Sequence, residues 1–148
     1  MEFLARINNM IPDIFEEIIK KYEFKYKRIS TLESVLYKED YAFIMSVDRS
    51  HVDIVFLKKE ENIIVKYCIQ TFVMKSFDVE DRSNQRVGKD VETNLINYLL
   101  IYEKGLQTKW TNMLIGQMDW VEEYKKSSMC VISELNPKEY SIYKDIFD

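Results

Sequence analysis

Tyr41-Ala42-Phe43-Ile44-Met45-Ser46-Val47, Val52-Asp53-Ile54-Val55-Phe56-Leu57 and Ile63-Ile64-Val65-Lys66-Tyr67-Cys68-Ile69-Gln70-Thr71-Phe72-Val73-Met74 are three runs rich in β-branched and aromatic residues, and the breaks between them decide the fold. The first break is Asp48-Arg49-Ser50-His51 and the second is Lys58-Lys59-Glu60-Glu61-Asn62. Polar breaks this short join antiparallel neighbours, because parallel strands need a crossover of about a dozen residues or more. The three runs therefore predict a β-meander. In the third run Ile63, Val65, Tyr67, Ile69 and Val73 share one face and Lys66 and Gln70 the other, so one face is expected under helices and the other partly wet.

Outward from the meander, Ser30 to Tyr37 is a candidate further strand, and the alternation from Tyr22 to Ile29 opens another. Before it, Ile11, Ile14, Phe15, Ile18, Ile19 and Tyr22 follow helical spacing, with Pro12 in the first turn, Asp13, Glu16 and Glu17 at the positive end and Lys20 and Lys21 at the other. Beyond the polar stretch Asp78 to Gly88, helical spacing returns at Val91, Leu95, Tyr98, Leu99 and Tyr102, with Gly105 placed to end that helix. Trp110, Met113, Leu114, Gln117, Val121 and Tyr124 outline another helix with Gly116 inside it. Met129 to Ser133 is a short strand candidate, and Asn136-Pro137 caps and opens a last helix through Phe147. The expected fold class is α+β: one domain over residues 1–148, with an antiparallel meander of about four strands, an N-terminal helix, and C-terminal helices packed mainly on one face.

The chemistry available is sparse. The 148 residues include one histidine, three glycines and two cysteines, against ten tyrosines and eight phenylalanines. Gly88, Gly105 and Gly116 form neither a dinucleotide fingerprint nor a P-loop, and Ser127-Ser128 has no glycine elbow. His51 lies in a hairpin break beside Asp48 and Asp53, where a turn role outweighs a catalytic dyad. Cys68 and Cys130 read as reduced core thiols, and Asp78, Glu80 and Asp81 lack the pattern of a calcium loop, so neither metal nor cofactor is expected. The net charge of -4 argues against general nucleic-acid or anionic-membrane binding and suits a basic protein partner. The opening residues lack a signal-peptide pattern and no apolar run approaches the roughly 18 residues of a membrane span, which reads as a cytoplasmic protein.

Two stretches combine charge with aromatic rings. Lys20 to Arg28 carries five basic residues interleaved with Tyr22, Phe24 and Tyr26, a pattern that either stacks nucleic-acid bases or simply alternates along a strand. Asp119-Trp120-Val121-Glu122-Glu123-Tyr124 is suited to a basic surface, with Trp120 and Tyr124 as anchors unless they belong to the core. Together with Asp78, Glu80 and Asp81, the residues Asp119, Trp120, Glu122, Glu123 and Tyr124 make the expected partner surface.

In its general character over the whole chain, small, acidic, aromatic-rich and poor in catalytic residues, the sequence resembles the immunity proteins that protect bacteria from toxins delivered by neighbouring cells, including contact-dependent growth inhibition systems. That resemblance rests on no motif, so no family residue is carried over. It implies a non-enzymatic inhibitor that binds one cognate toxin, often a nuclease, and blocks its active site or substrate surface. A small nucleic-acid-binding module and a carboxylate-dependent enzyme are the alternatives.

Overall fold

A computed structural model describes residues 2–147, and the strand-forming stretches lie in one six-stranded antiparallel sheet. Its strands are β1 (Lys25–Arg28), β2 (Glu33–Tyr37), β3 (Tyr41–Val47), β4 (Val52–Glu60), β5 (Ile63–Cys68) and β6 (Ile132–Glu134), ordered in space as in the chain. The sheet is thus a meander, two strands wider than the four expected. Val47 pairs with Val52 across the first break, where the Asp48 carboxylate accepts from the backbone N–H groups of Ser50 and His51. Glu60 pairs with Ile63 across the second, and Glu61 adopts a φ of 49° to close that tight turn.

Around the sheet run α1 (Glu2–Ile14), α2 (Glu16–Lys21), α3 (Gln70–Ser76), α4 (Val91–Lys109), α5 (Thr111–Leu114), α6 (Val121–Lys125) and α7 (Pro137–Tyr143), the last followed by a 3-10 turn at Lys144–Ile146. Asn136 and Glu139 form the reciprocal capping box that starts α7 after its N-terminal proline.

The structure corrects four expected boundaries. The long run from Ile63 to Met74 is strand only to Cys68, after which α3 begins; Ile69 and Val73 are four residues apart, a spacing that fits a helix as well as an alternating strand. The first helix starts at Glu2, so Pro12 lies inside α1 and not in a first turn, and the offset at Phe15 divides α1 from α2. Gly105 does not end α4; a side chain there would collide with the Phe77 ring packed against it. Gly116, with a φ of 85°, lies outside any helix and separates α5 from α6.

Among the described residues, six of the seven helices pack on one face, where Phe43, Met45, Ile54, Phe56 and Tyr67 meet Ile7, Ile11, Leu99, Tyr102 and Trp120 in a single cluster. The opposite face is not simply wet. α7 and the turn after it cover Val35, Ala42, Ile44, Leu57 and Ile64 with Tyr143 and Ile146. Lys66 points to this face and donates to Glu139 at 2.6 Å, and the Tyr143 hydroxyl donates to the Glu33 carboxylate at 3.1 Å.

Candidate partner-binding surface

The segment Asp78 to Asp81 is tied inward more than it is displayed. Each of these two aspartates accepts the other's backbone N–H, Asp81 N to Asp78 at 3.0 Å and Asp78 N to Asp81 at 3.1 Å. Lys109, at the end of α4, lies 2.8 Å from the Asp78 carboxylate and 2.9 Å from that of Asp81, and the Thr108 hydroxyl donates to Asp81. Asp81 is only 1% exposed. Burial pushes its carboxyl up, but the bonds from Thr108, Lys109 and the Asp78 N–H outweigh that and hold it below the usual range. The Asp78 carboxyl is drawn down to about 2, first by Lys109 and then by the Asp81 N–H. Asp81 therefore fastens the loop to α4, while Asp78 and Glu80 remain at the surface with Lys109 and Lys104 beside them.

The segment Asp119 to Tyr124 divides by side. Trp120 is 2% exposed and packs its ring against Phe56, Tyr67 and Phe72. Tyr124 is fully buried, and its hydroxyl links the end of β5 to the residue before β6: it accepts from Val131 N–H at 2.8 Å and lies 2.8 Å from the Cys68 carbonyl oxygen. Neither ring offers an anchor to a partner, because three- and four-residue spacing turns Trp120, Val121 and Tyr124 inward together. The same period turns Asp119, Glu122 and Glu123 outward. Asp119 accepts from the Asn112 side-chain amide at 3.0 Å, and Glu122 and Glu123 make no ion pair among the described residues.

A groove of about 340 Å³ is lined by one of the expected residues, Glu123, and by none of Asp78 to Asp81. Phe72, Ser76, Trp110 and Glu123 line it with Lys75 and Lys126, and the Trp110 indole N–H donates to the Ser76 hydroxyl at 2.8 Å. Asp78 follows Ser76 by two residues and its partner Lys109 adjoins Trp110, so the loop starts close to the Ser76 and Trp110 part of the groove. The groove itself is mixed in charge. A second groove, of about 670 Å³, was not foreseen: Asp13, Glu16 and Glu17 line it with Glu103, Lys20 and Lys21. Burial raises the Glu103 carboxyl, and the charge of Glu17 adds to that. Helical spacing had assigned Glu16 and Glu17 only to a helix end, and Glu103 lies too far away in sequence to be joined to them by pattern.

The remaining candidates take structural roles. His51 sits in its turn with Nδ1 2.9 Å from the Ser50 hydroxyl and 3.3 Å from Asp48. Asp53 is half-buried, which raises its carboxyl, and it accepts the Ile54 N–H. In the Lys20 to Arg28 stretch Phe24 is buried, and Tyr26 shares a 3.0 Å hydrogen bond with Ser34, so the rings face inward. Asn8 has no sequence signature, yet it is fully buried and ties α1 to the β1–β2 turn through the carbonyls of Ser30 and Thr31 and the Ser34 hydroxyl. Among the described residues no group of three or more His, Cys, Asp or Glu side chains is placed to hold a metal, and no helix is long and apolar enough to cross a membrane.

No protein-family model, characterised protein or solved structure matches this chain.

Proposed function

We propose that this protein is a non-enzymatic immunity protein of the contact-dependent growth inhibition kind, which binds one cognate toxin in the bacterial cytoplasm and covers its active site or substrate surface. A nuclease is the toxin it suits best. The observation that supports it is the division of α6: Glu122 and Glu123, with Asp119 before them, are held outward by a segment whose inner side is locked into the aromatic core. A nuclease must be basic where it meets phosphate, and carboxylates fixed on a rigid support compete for those cations with little ordering cost. Asp78 and Glu80 are met by Lys109 and Lys104, so they contribute less. Asp81, Trp120 and Tyr124 serve the surface by positioning it.

The test is co-purification with the product of the adjacent upstream gene, followed by association kinetics on folded variants. Glu122→Lys/Glu123→Lys should slow association by about tenfold, and Asp78→Lys/Glu80→Lys by less. His51→Ala should keep full protection of the host cell. If both double variants bind unchanged, the interface lies elsewhere; if folded His51→Ala loses protection, an enzyme becomes the better account.

A further inference from the structure

β1 is an open edge of the sheet. Its register pairs Lys25 with Tyr37 and Lys27 with Val35, and the Ile29 N–H donates to the Glu33 carbonyl at 3.0 Å. Antiparallel bonding alternates along a strand, so Lys25, Lys27 and Ile29 turn their backbone groups toward β2, while Tyr26 and Arg28 turn theirs outward. No hydrogen bond among the described residues reaches those outward groups. The side chains of this edge are cationic: Lys25, Lys27 and Arg28 are all exposed, and none is paired with a carboxylate among the described residues.

We propose that β1 accepts an extended acidic polypeptide segment as an added strand, its backbone pairing with Tyr26 and Arg28 and its carboxylates with Lys27 and Arg28. This does not rest on the immunity assignment, whose surface meets cations. Edge lysines repel neutral and basic strands by stranding their charge, and the same lysines favour a strand that brings carboxylates. The groove at the Lys25 end also carries Glu23, Glu39 and Asp145, which places the incoming acidic side chains toward Lys27 and Arg28 and away from that end. A single-stranded nucleic acid fits less well, because it cannot pair with the free backbone and because Phe24 and Tyr26 are turned into the core and leave no stacking platform.

The probe is a capped decapeptide in which glutamate pairs alternate with threonine pairs, so that carboxylates lie on both faces of the added strand, titrated against the full chain and followed by amide chemical shifts and hydrogen exchange. The Tyr26 and Arg28 amides should shift and gain protection, whereas the lysine-for-glutamate peptide and the backbone N-methylated peptide should do neither. Lys27→Glu/Arg28→Glu, shown to be folded by its unchanged melting curve, should weaken binding by about tenfold or more. Arg28→Pro removes an outward N–H without touching the β2 ladder and should weaken binding beyond Arg28→Gln, which removes the charge alone. The proposal is overturned if the acidic peptide leaves these amides unchanged at millimolar concentration, if the lysine peptide binds equally well, or if single-stranded oligouridylate occupies β1 while the peptide does not.

Discussion

Phe56 and Leu57 are neighbours in β4, both fully buried, and they point to opposite faces of one sheet. Phe56 meets an edge-on Phe43, a stacked Tyr41 and an edge-on Trp120, beneath a layer built from six helices. Leu57 lies under a single short helix and the turn that follows it. Equal exposure thus conceals unequal depth. A side chain loses water contact as soon as one layer covers it, but the cost of removing it depends on how far that layer can settle into the space left behind.

The largest effect is therefore expected at Phe56. Phe56→Ala leaves a cavity ringed by aromatic side chains that are themselves pinned, Tyr41 by its hydroxyl donating to the Leu114 carbonyl at 2.9 Å and Tyr67 between Phe56 and Trp120. It should cost about 3–5 kcal/mol, read from urea unfolding at constant m-value. Leu57→Ala, one residue on, should cost about 2–3 kcal/mol, because α7 can move toward the sheet. If the two substitutions cost the same, the cover on the second face is as rigid as that on the first and the comparison fails.

The same contrast explains what could be read in the sequence. The first face announces itself, since Tyr41 to Val47 and Val52 to Leu57 lie side by side in the chain with breaks too short for anything but hairpins. The second face is assembled by Tyr143 and Ile146, about a hundred residues after the strands they cover, and no local period links them. Glycines misled for a related reason. Gly105 looked like a stop and is a slot for Phe77, while Gly116 looked tolerated within a helix and marks a break. Of the expected partner surface, the charge was legible and the burial was not. The helical period could group Trp120 with Tyr124, but only the packed structure shows that this group faces in.

Tyr124 tests where the first face ends. Its hydroxyl bridges the Val131 N–H and the Cys68 carbonyl and so joins the end of β5 to the approach of β6. Tyr124→Phe keeps the buried ring but strands that donor and acceptor, for about 1–2 kcal/mol. The loss should be local, with faster amide exchange at Val131 and Ile132 and little change in α4. Uniformly faster exchange across the first face would mean that the hydroxyl supports the whole core and not just its edge.

The smallest effect belongs to the Lys66–Glu139 pair, which fastens α7 over the second face with both side chains about a quarter exposed. Its contribution is roughly 0.5–1 kcal/mol, because solvent screens it and two flexible side chains must be held. The hydrogen bond from Lys66 holds the Glu139 carboxyl below its usual value, and the reciprocal bond raises Lys66. A carboxyl lowered on folding stabilises fully above its unfolded value, about 4.3, and loses that contribution as pH falls through its lower folded value. A raised lysine stabilises below its unfolded value, about 10.4, and loses that contribution as pH rises through its higher folded value. The clasp is therefore complete between those limits. Glu139→Gln should lower stability slightly at neutral pH, and its difference from the wild type should shrink on acidification below about pH 4. Exchange at the amides of α7 should rise in this variant while Tyr102, bonded to the Val52 carbonyl beneath the helical layer, stays protected. If Tyr102 loosens together with α7, the two faces unfold as one unit, and the thin face is not an independent cover but part of the same core.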